Sequence, residues 1–356
     1  MKAIIELFHD YAEQFAAELG VEEKVFSLGG CGVRLRFGGG RWAGILTKAL
    51  DHLRAREVCW PQHRELTVFV LDGSISPRNP LLRCYLKPLV DFWPQYTGPR
   101  GELLNIHGGS VAAFYQPGPD LLSIVDLEAN LGFYWKRDLS PPPYYEAGSP
   151  MRALLHAWMH KQGVQFVHGG AVGTEAGGVL LAGKGGSGKS TSALACLNSS
   201  LKYLSDDYCM VSSSETHPSH LFSLYNTAKL IGAHDLARFR NLESHVWNPE
   251  RGPFDKVTIF LNESFPETLI SQFPLRAILV PRITGQSETH LEPCGEGEAL
   301  LALGPSSLAQ LPTSGRRDLN FIGGLVRRSP CFRMNLGTDI AQIPRVIGQL
   351  LNQLNP

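Results

Sequence analysis

At 356 residues the chain is longer than one average domain and suits two cores, or one core with a large extension. Its 43% hydrophobic and 19% charged residues are those of a folded globular protein, which excludes disordered and fibrous classes. With 33 Lys and Arg against 33 Asp and Glu there is no bulk field to draw DNA, RNA or anionic lipid, so neither nucleic acid nor membrane is expected as a partner. Cys31, Cys59, Cys84, Cys196, Cys209, Cys294 and Cys331 are scattered singly without a CxxC pair, and they read as reduced core residues. Glu6, Asp10, Glu13 and Glu18 interrupt the apolar pattern at the N-terminus, so that stretch does not read as a signal peptide, and a cytoplasmic protein is expected.

Ile4, Leu7, Phe8, Tyr11, Phe15 and Leu19 recur at helical spacing over 3–19, and Gly20 supplies a stop. GVRLRFGGG alternates as a strand, RWAGILTKALDHL has a helical pattern, and ELTVFVLDG is a strand ending in a turn. SVAAFYQ, LLSIVDL and NLGFYWKR follow as strands separated by Pro, Gly and Asn turns, in the manner of an antiparallel sheet. The start is therefore α+β. The run SPPPYYEAGSP from Ser140 to Pro150 is the clearest break, because consecutive prolines stiffen the backbone and remove donors. It divides an N-terminal α+β recognition domain, 1–140, from a second domain, 150–356, unless it is an internal loop of one domain. Past it come a helix (MRALLHAWMHKQ), two strands (QFVHGGAVGTE and GVLLAG), a glycine-rich loop and the helix KSTSALACLNSS.

That loop meets the pattern GxxxxGK[ST] at Gly183, Gly188, Lys189 and Ser190, with Lys184, Gly185, Gly186 and Ser187 between the glycines and Thr191 after. The glycines let successive N–H groups face an anion, and the strand before and helix after supply the context the motif requires. ATP is the expected ligand: Lys189 would pair with its β- and γ-phosphates and Ser190 would ligate Mg²⁺. Such a site needs carboxylates, and Asp206 and Asp207 end the next short apolar strand. One would hold the metal and the other accept the proton of an incoming hydroxyl, although SDDY is also a favourable polar turn.

The order of His168-Gly169, GVLLAG, GKGGSGKST, SALACL and Asp206-Asp207 resembles the HPr kinase/phosphorylase family and its related kinases, over roughly residues 150–350. The resemblance implies an α/β fold: a C-terminal P-loop kinase domain of the HPr-kinase/PEP-carboxykinase type. It also implies ATP-dependent phosphorylation of a serine hydroxyl, with Asp207 as catalytic base, His168 as its orienting or proton-sharing partner and Asp206 on the metal side. Two features depart from the bifunctional enzymes. The loop ends Lys-Ser-Thr without an acidic residue, and SLYNTAKL stands where an EIRGxG-like signature is usual, so neither phosphorylase activity nor HPr as substrate is implied. Lys229 in SLYNTAKL is a candidate substrate or phosphate contact, or else a solvated lysine. Arg282, ending the apolar strand AILVPRITG, is a candidate for neutralising phosphoryl charge. The leading expectation is a kinase acting on a serine of a peptide or protein. A kinase of a small hydroxylated metabolite and a non-catalytic nucleotide-binding scaffold or sensor are the alternatives, and assembly into a homo-oligomer is left open.

Overall fold

A computed structural model of the protein describes residues 2–56, 60–72, 93–137, 140–212 and 218–354. Cys59 and Cys84 lie outside the described residues. The chain divides into two compact units, Met1–Lys48 with Leu53–Gln162 and Leu311–Thr313, and Ala49–His52 with Gly163–Gln310 and Ser314–Pro356. Both are mixed α/β.

The first unit is built on a six-stranded sheet of β1 (Val21–Leu28), β2 (Cys31–Gly38), β3 (Glu65–Asp72), β4 (Val111–Gln116), β5 (Leu121–Asp126) and β6 (Leu131–Lys136), in the order β1-β2-β3-β6-β5-β4. The ladders β3–β6 and β2–β3 are parallel and the rest antiparallel, so the sheet is mixed, and the three strands SVAAFYQ, LLSIVDL and NLGFYWKR form the antiparallel part that their turns predicted. Helix Lys2–Leu19 lays Ile5, Phe8, Ala12 and Phe15, spaced three and four apart, against Phe69, Phe133 and Trp135 of one sheet face. On the other face Leu154 of helix Arg152–Lys161 packs beside Gly132 and Val68. The stretch read as one helix over RWAGILTKALDHL is a short α-turn, Ala43–Leu46, followed by a 3₁₀ helix, Lys48–Leu53. β1 went unread because VEEKVFSL is exposed over its first three residues and alternates only at its end.

The proline run leads into a short helix, Tyr144–Ala147, and the division between units falls later, at Gln162–Gly163. The reason is local. Glu146, buried just after the prolines, accepts a hydrogen bond from Tyr134 of β6, and Leu154 packs on the same sheet, so residues 144–161 complete the first core.

The second unit holds β7 (Val164–Thr174), β8 (Gly177–Ala182), β9 (Lys202–Ser205), β10 (Tyr208–Ser212), β11 (His220–Ser223), β12 (Thr227–Leu230), β13 (Val257–Phe260), β14 (Gln272–Ile283), β15 (His290–Pro293) and β16 (Cys331–Leu336). Its main sheet runs β11-β10-β7-β8-β14-β16-β15 with β9 also on β7, and β12–β13 form a separate ribbon. β8 is buried on both faces, with the alternation a strand requires. Val179 and Leu181 join Ile343 and Ile347 of helix Gln342–Leu354, while Leu180 and Ala182 join Leu303 and Ile322 of helices Glu296–Gln310 and Arg316–Arg327. Among the described residues no helix is long and apolar enough to cross a membrane. Cys31, Cys196 and Cys209 are buried free thiols, whereas Cys294 and Cys331 are only half-buried.

Candidate functional site

β8 and β14 run parallel, and the chain leaves β8 at Gly183, at the carboxyl end where open α/β sheets bind ligands. It loops through Gly183–Gly188 into helix Lys189–Ala195. Gly188 has φ +102, and a Cβ there would meet Leu336 Cδ1 at 2.4 Å, so the turn admits only glycine. The Lys189 side chain is buried and folds back on the loop, donating from Nζ to Gly183 O at 2.6 Å and to Lys184 O at 3.1 Å. Burial lowers its pKa, while the charges of Asp206 and Asp207 act to raise it. The ammonium is thus held in the mouth of the loop by weak acceptors that phosphate oxygens would outcompete.

Asp206 and Asp207 form the corner between β9 and β10, at the point where β7 changes neighbours: its residues 164–168 pair with β10 and Ala171–Gly173 with β9. Tyr208 is registered against His168, which sets Asp207 beside the imidazole. Gly169 must be glycine here, because a Cβ would meet Leu181 O at 2.7 Å, and its N–H donates to Asp207 O at 3.1 Å. Asp207 has φ +73 and the Tyr208 N–H returns to Asp206 O at 2.9 Å, so the corner is a γ-turn with a non-glycine residue in a strained conformation. The strain aims its carboxylate. Oδ2 accepts from Lys229 Nζ at 2.8 Å, and Oδ1 lies 3.3 Å from His168 Nε2. Burial acts to raise the pKa of Asp207, but Lys229 and His168 outweigh it and hold the carboxyl well below the usual range.

Asp206 has the opposite environment. It is 1% exposed, and neither carboxylate oxygen has a hydrogen bond of normal geometry. Burial and then the neighbouring Asp207 raise its pKa; the Ser190 hydroxyl and Lys189 offset part of the rise. A buried charge so sparsely compensated favours a cation beside it. Among the described residues no cluster of three or more His, Cys, Asp or Glu stands ready for a metal. Mg²⁺ needs no such cluster, since it arrives on phosphates, keeps several waters and takes one or two protein oxygens. Asp206 and Ser190 fit that part.

No protein-family model matches the chain, and no curated protein matches it either. Among solved structures, the HPr(Ser) kinase/phosphatase from Coxiella burnetii is similar over 53% of this chain and 95% of its own, at 11% identity and a TM-score of 0.29. So weak a likeness carries no part of the functional reading, which rests on the site's own geometry.

The sequence-predicted residues His168, Gly185, Gly186, Gly188, Lys189, Ser190, Thr191, Asp206, Asp207 and Lys229 line one cavity of about 230 Å³ in the second unit. Gly183, Lys184 and Ser187 belong to the loop but do not line it. Arg282 stands elsewhere. It is exposed and borders a separate depression with Ile283, Thr284, His290, Glu292 and Arg333, and of these only Ile283 also lines the cavity. Four further polar residues of the cavity escaped the sequence reading: Asp235, Arg238, Lys256 and Gln310. Gln310 accepts a hydrogen bond from the Tyr208 hydroxyl at 2.7 Å. The one available signal was FDKVTIF, a strand with a lysine just before it.

Proposed function

We propose that the protein is an ATP-dependent phosphotransferase that moves the γ-phosphate to a hydroxyl, with a serine of a peptide or protein as the acceptor class its motif order favours. The observation that carries the reading is Asp207, an ionised carboxylate in a strained turn, aimed into the same cavity as the glycine loop and Lys189. A merely structural acid pair has no need of that strain or of a buried neighbour whose pKa is raised by burial.

In this reading the loop and Lys189 hold the β- and γ-phosphates. Mg²⁺, held by Ser190 and Asp206, would neutralise charge on the phosphate oxygens. Asp207 accepts the acceptor's hydroxyl proton at whichever oxygen Lys229 or His168 releases. His168 orients it, and Lys229 exchanges Asp207 for phosphate as the nucleotide arrives, which leaves the carboxylate more basic when it is needed. Phosphoryl transfer of this kind depends on positioning and charge, not on covalent chemistry by the protein.

The test is Asp207→Asn, which keeps shape but cannot take a proton. MgATP should still bind in calorimetry, and acceptor-dependent ADP release should fall by roughly 10²- to 10⁴-fold, the usual worth of a positioned base. Equal turnover in both proteins, with no hydroxyl acceptor phosphorylated, would leave a nucleotide-binding scaffold as the better description.

A further inference from the structure

Four Lys and Arg side chains line the cavity: Lys189, Lys229, Arg238 and Lys256. Lys189 is held by loop carbonyls and Lys229 by Asp207. Arg238 is exposed, whereas Lys256 is half-buried. Among the described residues no salt bridge and no side-chain hydrogen bond engages Lys256 Nζ. Its backbone is fixed all the same. Lys256 O accepts from Asn248 Nδ2 at 2.9 Å, the Thr258 N–H donates to Asn248 Oδ1 at 2.9 Å, and the next residue, Val257, pairs with Leu230. One step further along that register Lys256 falls opposite Ile231, which also lines the cavity. Lys256 and Lys229 therefore share a face of the β12–β13 ribbon. The charge of Lys256 reaches Lys189 and lowers its pKa, so two ammonium groups bear on one another from the loop side and the ribbon side of the cavity.

Two cations facing a shared space repel; Asp206 and Asp207 offset part of that for Lys189, and an anion between the two ammonium groups would relieve the rest. On the phosphotransferase reading, on which this inference rests, that anion is the group in transit. We propose that Lys256 is a further catalytic residue, the cation that contacts the transferring phosphoryl group from the side opposite Lys189. In the step, a lone pair of the acceptor oxygen forms the new P–O bond and the hydroxyl proton passes to Asp207. The bond from the γ-phosphorus to the bridging oxygen breaks, and its electron pair leaves with ADP. Charge spreads over the equatorial oxygens meanwhile, and a cation fixed in advance stabilises it without reorganising.

This role differs from ground-state phosphate binding in what it predicts. Calorimetry on the wild type, Lys256→Met and Lys256→Arg would use two probes, MgADP alone and MgADP with aluminium fluoride, which mimics the phosphoryl group in flight. The wild type should bind the fluoride complex roughly 10²-fold more tightly than MgADP, the scale of one preorganised charge contact. Lys256→Met should keep its MgADP affinity and lose that gain, and Lys256→Arg should restore most of it. A Met variant that retains the gain, or that loses MgADP affinity to the same extent, overturns the assignment. So does a wild type that binds MgADP without any gain on adding fluoride. A wild type that fails to bind MgADP at all overturns the nucleotide reading itself, and the two failures are distinguishable.

Discussion

Each unit buries carboxylates, and Glu146 of the first and Asp206 of the second are dressed in opposite ways. Glu146 in the first is 3% exposed and accepts from the Tyr134 hydroxyl at 2.7 Å, the Met151 N–H at 3.0 Å and Gln116 Nε2 at 3.2 Å. Asp206 in the second is 1% exposed and has no bond of normal geometry on either oxygen. Depth of burial is the same for both, so burial alone does not mark a functional acid. What separates them is whether the fold completes the group's coordination by itself. Glu146 is a fastener, closing the turn after the prolines onto β6. On the proposed reading, Asp206 is completed by a ligand from outside the chain.

Substitutions sharpen or break that contrast. Glu146→Ala takes the acceptor away from three donors in a closed core, which should cost about 3 kcal/mol in urea unfolding. Unchanged stability would deny it the fastening role. Lys189→Ala acts mainly on the ligand side: MgATP affinity should fall by about 2 kcal/mol, near 30-fold, while unfolding without nucleotide, which loses only the bonds to two loop carbonyls, should change by about 1 kcal/mol or less. Asp206→Asn carries the reversed sign. Removing a buried charge that Ser190 and Lys189 compensate only in part should raise stability without ligand by about 1 kcal/mol, yet abolish most of the Mg²⁺-dependent gain in MgATP binding. Should Asp206→Asn destabilise the free protein as a Glu146 substitution does, the contrast fails.

How much of this was legible in the sequence follows from how local each feature is. The glycine loop is contiguous and its strand and helix flank it, so Gly183 to Thr191 could be read directly, as could the strands carrying His168 and the Asp206–Asp207 corner. The pairing of Lys229 with Asp207 depends on β12 lying beside a corner 22 residues earlier, which no local pattern states. Lys256 is a lone lysine in sequence and acquires meaning only from the β12–β13 register. Arg282 sits at an evident strand end, but which depression that end borders is a tertiary fact the strand pattern does not carry. The proline run drew the eye as a boundary, whereas Glu146 and Leu154 carry the first core past it to Gln162.

His52 is a third kind of half-hidden titratable group, and it yields the smallest effect. It belongs to the second unit, where its Nε2 lies 2.6 Å from Ser223 Oγ and its Nδ1 3.4 Å from Asn226 Nδ2. An amide NH₂ can only donate, so Nδ1 accepts and the neutral ring carries its proton on Nε2, toward the serine. A second proton on Nδ1 would point at that donor. Burial lowers the pKa from 6.5 to about 3. The sign follows: the folded protein binds fewer protons than the unfolded chain between these values, so the stability is complete above pH 6.5 and drains away as pH falls toward 3. The slope has a ceiling of about 1.4 kcal/mol per pH unit, and the ring keeps some surface in water, so at pH 5.5 the loss relative to pH 7 should be about 1 kcal/mol or less. Other histidines titrate in the same window. The readout is therefore the difference between wild type and His52→Gln in urea unfolding at the two pH values. The glutamine variant should be less stable at pH 7 and show a shallower loss on acidification. Parallel losses in the two proteins would mean that His52 accepts its second proton without strain, and that neutral partners, unlike the donors around Glu146, do not fix a buried group's protonation state.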